Sequence, residues 1–251
     1  MQINNIIPFS IVDGPGNRMV IFLQECNLNC LYCHNFETIN KCNNCLKCIN
    51  VCPTKSLTNI NGKVSWNEET CINCDKCIYE CEFSSTPKTK DHTPKEVASM
   101  IIKYKDFIDG VTFSGGECML QADDILSVVK ILKLHDINVL IDSNGYFDVS
   151  ANEELIKLVD GFMIDIKSLN KNYLLTGVDY SNLETIDYLN KLNKLHELRT
   201  VDLLDSESKK VIQYIESFIE KNPSVKKRIN KLSTQNLKQS RLDKLNNYLK
   251  L

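Results

Sequence analysis

The stretch Cys26-Asn27-Leu28-Asn29-Cys30-Leu31-Tyr32-Cys33 decides the fold of this 251-residue chain. It offers three cysteines and no fourth in register. Such close spacing lets three thiolates of one loop bind three iron corners of a [4Fe–4S] cube, so the fourth iron has no protein ligand. An open coordination position is typical of a catalytic rather than a purely structural metal centre. The stretch therefore predicts a catalytic cluster bound by Cys26, Cys30 and Cys33.

Eight further cysteines form two runs downstream, Cys42-x2-Cys45-x2-Cys48-x3-Cys52 and Cys71-x2-Cys74-x2-Cys77-x3-Cys81. Both runs match the bacterial ferredoxin pattern, in which the fourth cysteine of each run ligates the other cube. The alternative is a pair of zinc sites, which rarely repeat this spacing with a crossed fourth ligand. The pattern predicts two more [4Fe–4S] clusters, one bound by Cys42, Cys45, Cys48 and Cys81 and the other by Cys52, Cys71, Cys74 and Cys77.

Composition limits the class of protein. Hydrophobic residues make up 43% and charged residues 25% of the chain, and its net charge is −2. This balance is ordinary for a soluble globular protein and implies no bulk attraction to nucleic acid or to an acidic membrane. No apolar run approaches the roughly 20 residues of a membrane span, and the N-terminus has no signal-peptide pattern. We expect a cytoplasmic protein, in which metal ligation is the default interpretation of 12 cysteines.

The remainder of the chain alternates short apolar strands with helices, which is the pattern of a parallel α/β sheet. Thr93-Pro94 is expected to begin a helix, because proline is favoured in a first helical turn. The predicted strands cover residues 19–23, 110–114, 137–142, 161–166, 198–203 and, with less regular character, 228–232.

Polar residues follow several of these strands where they end, at the edge where parallel α/β barrels form their active sites. Gly115 and Gly116 would let the backbone approach a ligand, and the Glu117 carboxylate could receive an ammonium group. Alone, this segment would be an ordinary turn. Asp165 and Lys167 could bind charged groups of a ligand, or could simply form an ion pair with each other.

The first cysteine run, with aromatic Tyr32 before its last cysteine, resembles the signature of the radical S-adenosylmethionine superfamily. The flanking segments Ser10-Ile11-Val12-Asp13-Gly14-Pro15-Gly16-Asn17-Arg18 and His34-Asn35 resemble activating enzymes of glycyl radical enzymes. The segments at residues 6–10, 62–67, 142–145 and 175–177 are most similar to the YjjW-type activases. The resemblance covers residues 5–200 and is weak beyond them.

The resemblance implies a partial (β/α)6 TIM-like radical S-adenosylmethionine barrel, residues 1–35 and 91–251, with an inserted two-cluster ferredoxin-like domain, residues 36–90. It implies three [4Fe–4S] clusters, S-adenosylmethionine and a monovalent cation. The residues that it implies for S-adenosylmethionine are Tyr32, Gly115, Gly116, Glu117, Asp142, Ser143, Asp165, Lys167 and Arg199. Those that it implies for the cation are Asp142, Ser143, Met163 through its carbonyl, and Asp165.

The same resemblance implies the reaction. One electron cleaves S-adenosylmethionine, and the resulting 5′-deoxyadenosyl radical removes hydrogen from a backbone glycine of a glycyl radical enzyme. Asp13 matches a position that binds the glycyl loop of that partner, although Asp-Gly-Pro-Gly is also a strong generic turn. Ferredoxin or flavodoxin is the expected electron donor. The inserted clusters would relay its electrons, or would serve docking or structure. A monomer is expected.

Three positions depart from the family pattern. Glu25 replaces a glycine before the first ligand, and Cys118 replaces a small residue after Glu117. The nucleoside-contacting histidine of the family aligns near Ser233, and the Val-Pro-Gly expected after the fifth strand is missing. Two other hypotheses therefore remain beside the activase. One is a radical enzyme that acts on a small molecule, and the other is a non-catalytic iron–sulfur electron-transfer protein.

Overall fold

The computed structural model describes residues 1–235 and 237–250. The strands are β1 (Gln2–Ser10), β2 (Arg18–Leu23), β3 (Leu57–Ile60), β4 (Lys63–Trp66), β5 (Lys90–Asp91), β6 (Gly110–Gly115), β7 (Val139–Ser143), β8 (Gly161–Asp165), β9 (Leu195–Asp202) and β10 (Lys226–Lys231). The α-helices are α1 (Lys76–Glu80), α2 (Pro94–Ile102), α3 (Ala122–Lys133), α4 (Glu153–Leu158), α5 (Asn172–Thr176), α6 (Leu183–Lys191), α7 (Ser206–Lys221) and α8 (Gln239–Tyr248). Short 3-10 helices cover Phe36–Thr38, Lys47–Ile49 and Cys118–Gln121.

One sheet of eight strands forms the main layer, in the order β10-β9-β8-β7-β6-β2-β1-β5. Strands β2, β6, β7, β8, β9 and β10 are parallel, and each pairs with the next one in this order. The prediction of an α/β fold with a large parallel sheet is confirmed. Five of the six predicted strands begin within two residues of their expected starts, and β9 begins three residues early. Closure of the sheet into a partial barrel stays a prediction.

Strand β1 was not predicted. It pairs antiparallel with β2 and carries two asparagines and Pro8, which are poor strand formers. The pairing register shifts between Ile7 and Ser10, on either side of the proline, so the sheet accommodates Pro8 at an irregularity. The neighbour on the other side, β5, pairs only with Gln2 and Ile3. Tertiary pairing therefore overrides a weak local preference here.

Helix periodicity produces the core that supports the sheet. In α3 the buried residues are Ile125, Val128, Val129 and Leu132, a spacing that places them on one helical face. Helix α2 begins as predicted: Thr93 and Glu96 form a reciprocal capping box, and Pro94 occupies the first turn.

Residues between β2 and β5 form a separate small structure. Strands β3 and β4 make a two-stranded antiparallel hairpin, and α1 follows it. The side chains of Cys48, Leu57 and Cys77 are buried together in a cluster of their own, against which Trp66 and others pack. Because this cluster is separate from the core of the large sheet, the segment has its own packing centre.

The parallel strands bring their C-terminal ends to one edge of the sheet. Leu23 of β2 is in register with Gly115 of β6, and Ser143 of β7 is in register with Ile164 of β8. The cysteine loop and most of the predicted ligand residues leave the sheet at this edge.

Candidate active site

The cysteine loop that follows β2 is fixed by later parts of the chain. The backbone N–H groups of Asn29 and Leu31 donate to the carbonyls of Thr176 and Leu175, at 2.8 and 2.9 Å. The segment Leu175-Thr176-Gly177 thereby supports the loop, and Gly177 ends α5 in a left-handed conformation with φ of 77°. Leu175-Thr176-Gly177, which the sequence identified only as a point of resemblance to relatives, therefore has a structural role.

The three thiols of the loop lie in an apolar environment. Cys26, Cys30 and Cys33 pack with Leu28 and Tyr180. Burial is the main reason why the pKa of each thiol is raised, to about 12 for Cys33. The thiols also raise the pKa of one another, since each thiolate opposes the next. A cationic iron centre reverses this preference, because coordination stabilises the thiolate. The donor set thus fits an iron–sulfur cluster.

The other eight cysteines surround two spaces in the insert. One space is lined by Cys42, Cys45, Cys48 and Cys81. The other is lined by Cys52, Cys71, Cys74 and Cys77. The spaces measure about 300 and 320 Å³, counted with the part that opens to solvent. Across residues 1–235 and 237–250, no three His, Cys, Asp or Glu side chains are grouped as ligands for a single metal ion. The linings of the two spaces contain the same sets of four cysteines that were predicted, and crossed ligation of two clusters stays a prediction.

The two cysteine runs share a backbone conformation. The residues immediately before and after the middle cysteine have positive φ in both runs, Asn44 and Leu46 in the first and Asn73 and Asp75 in the second. Repeated left-handed residues curl each run so that its cysteines turn toward one side. A 3-10 helix, Lys47–Ile49, follows in one run and α1 follows in the other.

The Gly-Gly-Glu segment packs tightly against the cysteine loop. A Cβ atom on Gly115 would lie 2.2 Å from the backbone nitrogen of Leu23, and one on Gly116 would lie 2.2 Å from the carbonyl oxygen of Glu25. Gly115 also has a φ of 125°. The close neighbour that requires these glycines is the chain's own backbone, whereas the sequence analysis assigned the close approach to a ligand.

Glu117 is almost fully buried beside these glycines. Its carboxylate accepts hydrogen bonds from the Met119 and Asn144 N–H groups and from the Ser143 hydroxyl, at 2.8 to 3.0 Å. Burial nevertheless raises its pKa to about 7. Ser143 and Asn144 are thus tied to Glu117, which holds the end of β7 against the Gly-Gly-Glu turn. Binding of an ammonium group by this carboxylate stays a prediction.

Charged side chains line the same face of the sheet beyond Glu117. Arg199 contacts the carboxylates of Glu197 at 2.5 Å and Asp142 at 3.2 Å, and Ser114 donates to Asp142. Burial raises the pKa of Asp142 to about 6 even so. Arg199 lies inside β9, with its side chain 9% exposed, so it is committed to protein carboxylates.

Lys167 lies closer to the cysteine loop than Arg199 does. Its Nζ is 2.6 Å from Asp165 and 6.0 Å from the ring centre of Tyr32. Burial opposes the charge, but Asp165, Tyr32 and Cys30 raise the pKa of Lys167 well above its ordinary value. The predicted alternative of an Asp165–Lys167 ion pair is what the structure contains. Binding of a ligand carboxylate by Lys167 stays a prediction.

Tyr32 and Met163 were both predicted to contact ligands. Tyr32 packs with Leu175 and Leu203, and its buried hydroxyl has no hydrogen-bond partner among the described residues. A buried polar atom without a partner is costly, and contact of this hydroxyl with a ligand stays a prediction. Met163 is fully buried in β8, opposite Asp142 of β7.

Asp13 lies away from the cysteine loop. It precedes β2, whereas the loop follows that strand, so the two are at opposite ends. Its carboxylate accepts a hydrogen bond from Ser10 at 2.5 Å, and its carbonyl accepts one from Thr112 at 2.6 Å. Thr112 and Ser114 alternate along β6 and so share one face of the sheet. Asp13 and the ligand residues are therefore on the same face.

Two groups of site residues were missed by the sequence analysis. Asn144 donates to Asn27 of the cysteine loop at 2.8 Å, and Asn182 donates to the carbonyls of Asn144 and Asp165. Glu207 accepts three hydrogen bonds from Ser168 and the two following residues, which orders the loop after Lys167. The local signals for them were the Asn144-Gly145 turn, an asparagine at the N-cap of α6 and an acidic residue in the first turn of α7.

The substituted positions are accommodated differently. Glu25 adopts a φ of 86°, which explains the glycine expected there, and its exposed carboxylate pairs with Lys41 at 2.6 Å. Cys118 is fully buried, and its thiol points to the carbonyls of Phe113 and Asp142, at 3.5 and 3.4 Å. This is the environment of a small core residue.

No helix among the described residues is long and apolar enough to cross a membrane. All twelve cysteines are free of disulfide bonds.

Known proteins resemble this chain in fold and in sequence. Among solved structures, Streptococcus suis SuiB bound to S-adenosylmethionine shares the fold, with a TM-score of 0.52 and 16% identity over 90% of this chain and 45% of that one. The trans-4-hydroxy-L-proline dehydratase activating enzyme of Clostridioides difficile is 29% identical over 84% of this chain and 78% of its own length.

A putative glycyl-radical enzyme activating enzyme of Haemophilus influenzae is 30% identical over 66% of this chain. That match covers 47% of the relative, so this chain spans about half of its length. The predicted resemblance to glycyl radical enzyme activating enzymes is confirmed by these relatives, which are enzymes by name. The pattern of the 4Fe-4S single cluster domain family matches residues 12–176. The chain therefore belongs to the 4Fe-4S single cluster domain family.

Proposed function

We propose that this chain is a radical S-adenosylmethionine activase for a glycyl radical enzyme. The observation that carries the proposal is the loop of three cysteines without a fourth, one buried and two half-buried, packed against Gly-Gly-Glu in a chain whose relatives are activating enzymes. When bound, the cluster and S-adenosylmethionine supply a 5′-deoxyadenosyl radical that abstracts hydrogen from a backbone glycine of the partner.

The chain's own part is to bind charges and exclude water. Lys167 binds the carboxylate of S-adenosylmethionine. Its position beside Tyr32 and Cys30 supports this role. Arg199 contributes less directly, because it is committed to Asp142 and Glu197. The buried Tyr32 hydroxyl is available to the ligand. Glu117, Gly115 and Gly116 position the amino group.

A monovalent cation bound by Asp142, Ser143, the Met163 carbonyl and Asp165 completes this proposal. Asp142 and Asp165 each lie near enough to oppose the charge of the other, and a cation relieves that repulsion. In the ligand-free chain Arg199 and Lys167 perform this task.

Asp13 positions the glycyl loop of the partner. Its place on the ligand-bearing face of the sheet, at the end away from the cysteine loop, supports this role. A peptide that reached from Asp13 toward the cluster would pass Thr112 and Ser114 of β6.

The insert, residues 36–90, is a ferredoxin-like domain with two [4Fe–4S] clusters inside a partial (β/α)6 barrel of residues 1–35 and 91–251. The two cysteine-lined spaces and the separate apolar cluster support this division. Its clusters relay electrons from ferredoxin or flavodoxin. The chain acts as a monomer, in the cytoplasm, where free cysteines persist.

Anaerobic reconstitution with iron and sulfide tests the function. With S-adenosylmethionine and dithionite, we expect 5′-deoxyadenosine, and none from the Cys30→Ala variant. Addition of a candidate glycyl radical enzyme should give a glycyl radical signal in electron paramagnetic resonance (EPR). Cleavage that depends on a small molecule but never on such a partner would favour the small-molecule enzyme. A fully reconstituted chain that cleaves nothing would favour an electron-transfer protein.

A further inference from the structure

The C-terminal helix α8 covers the cysteine loop. Its apolar residues Leu245 and Tyr248 pack with Tyr32, Leu175 and Leu203. The resemblance to activating enzymes is weak beyond residue 200, and no role was predicted for a residue of this helix. The packing against Tyr32 places the start of α8 between the cysteine loop and the insert.

Arg241 of this helix contacts both parts. Its guanidinium donates to the carbonyl of Cys30 at 2.8 Å and to the side chain of Asn29 at 2.7 Å. On the other side it donates to the Ser84 hydroxyl at 2.9 Å and lies 5.7 Å from the ring centre of Phe36. Arg241 is 7% exposed. One side chain therefore joins the cysteine loop to both ends of the insert.

Lys238, just before α8, makes the corresponding contact with a second cluster loop. Its ammonium donates to the carbonyl of Cys81 and lies 5.1 Å from the same Phe36 ring. The ring of Phe36 is thus contacted by two cations, one bound at Cys30 and one at Cys81.

Among the residues that the structure describes, Arg241 forms no ion pair with Asp or Glu, although it is buried and donates directly to the carbonyl of Cys30. A buried charge without a counter-ion is strongly unfavourable. Thiolates that ligate iron would supply that counter-charge, since a cube with thiolate ligands is net negative.

We propose that Arg241 is a positioning residue that anchors the insert to the catalytic loop and raises the reduction potential of the catalytic cluster. Lys238 has the same effect at the cluster of Cys81. The inference rests on the proposed function only in that it takes the cysteine loop to bind a cluster. A nearby positive charge favours the reduced, more negative state of the cluster.

The test compares Arg241→Gln, which removes the charge, with Arg241→Lys, which keeps it. Lys244→Gln is the matched control, because it removes one positive charge from an exposed position of the same helix. The EPR signal of the catalytic cluster is identified as the one absent from Cys30→Ala. At a fixed applied potential, we expect the ratio of reduced to oxidised catalytic cluster to fall about tenfold in Arg241→Gln. It should stay near the wild-type value in the other two variants.

Anchoring is tested by hydrogen exchange on the reconstituted chain. We expect hydrogen exchange of residues 81–85 to rise severalfold in Arg241→Gln and in Ser84→Ala, while only the first variant shifts the potential. Equal ratios in Arg241→Gln and wild type, or an equal fall in Lys244→Gln, would overturn the electrostatic role, and unchanged exchange would overturn the anchoring. Neither readout uses S-adenosylmethionine cleavage, so failure of the activase proposal would be seen separately.

Discussion

Glu25 shows at the scale of one residue how a substitution is tolerated beside the catalytic loop. Its backbone has a φ of 86°, and both its N–H and its carbonyl are hydrogen bonded, to Thr38 and Glu117. The conformation is therefore fixed by neighbours. A non-glycine residue with such a φ carries backbone strain.

We expect Glu25→Gly to raise the free energy of unfolding by about 0.5 kcal/mol, because relief of about 1–2 kcal/mol of strain exceeds the entropy that glycine adds to the unfolded chain. Urea unfolding of the iron-free chain measures it. Glu25→Ala is the control, since it removes the exposed pair with Lys41 but keeps the strained Cβ. An equal gain from alanine would mean that the carboxylate, not the backbone, is the cause.

Cys118 is the one cysteine outside the three predicted clusters, and it is buried under the carbonyls of Phe113 and Asp142. We expect Cys118→Ala to lower the free energy of unfolding by about 1 kcal/mol and to leave the iron content unchanged. Iron and sulfide analysis after reconstitution checks this. Loss of about four irons per chain, one cluster, would show that Cys118 is a ligand.

At the scale of elements, connections between strand ends determine the site. The start of α7 supports the loop that follows β8, because Glu207 accepts hydrogen bonds from Ser168, Leu169 and Asn170. Burial alone would raise the pKa of Glu207, but these donors lower it below its ordinary value of 4.5. A lowered pKa in the folded chain stabilises it above the pKa of the unfolded chain, and the contribution is lost as the pH falls.

We therefore expect Glu207→Gln to lower the free energy of unfolding by about 1–3 kcal/mol at pH 7, because hydrogen bonds to a charged acceptor are lost. The difference in the free energy of unfolding between the variant and wild type should shrink below about pH 4.5, where the Glu207 carboxylate protonates. Denaturant unfolding across pH measures both. Glu220→Gln, at an exposed position of α7, should change stability little at any pH. A gap that stays constant down to pH 3 would contradict the assignment.

The helices and strands also show which features could be predicted from the sequence. The six parallel strands were predictable because apolar runs and their flanking turns are local signals. Strand β1 was not, since Pro8 and two asparagines hide a pairing that only β2 enforces. The cysteine sets followed from spacing alone, whereas Asn144–Asn27 and Arg241–Cys30 join residues far apart in sequence, which no local pattern encodes.

At the scale of the whole molecule, the insert brings the two cysteine runs together, and the fourth cysteine of each run lies beside the first three of the other. Cys81 lines the space of the first run, and Cys52 lines that of the second. If the ligation is crossed, a substitution at Cys81 should remove the same cluster as a substitution in the first run, and a substitution at Cys52 the same cluster as one in the second run.

We expect Cys42→Ser and Cys81→Ser each to remove one of three clusters, and the double variant to remove no more, about four irons of roughly twelve. The matched double variant Cys42→Ser with Cys77→Ser should remove two clusters, about eight irons. Iron analysis and EPR spin counting after reconstitution measure both. If the first double variant also lost two clusters, the ligation would be uncrossed, and loss of only one cluster in the second would mean that Cys42 and Cys77 bind the same cluster.

The contacts that fix the cysteine loop have a consequence for biosynthesis. The loop leaves the ribosome early, but Leu175 and Thr176 follow much later, and 211 residues separate Cys30 from Arg241. At about 5–20 residues per second, translation takes many seconds to deliver those supports. The insert, with its packing centre near the start of the chain, can mature first. The cysteine loop therefore gains its last supporting contact only after Arg241 has been translated.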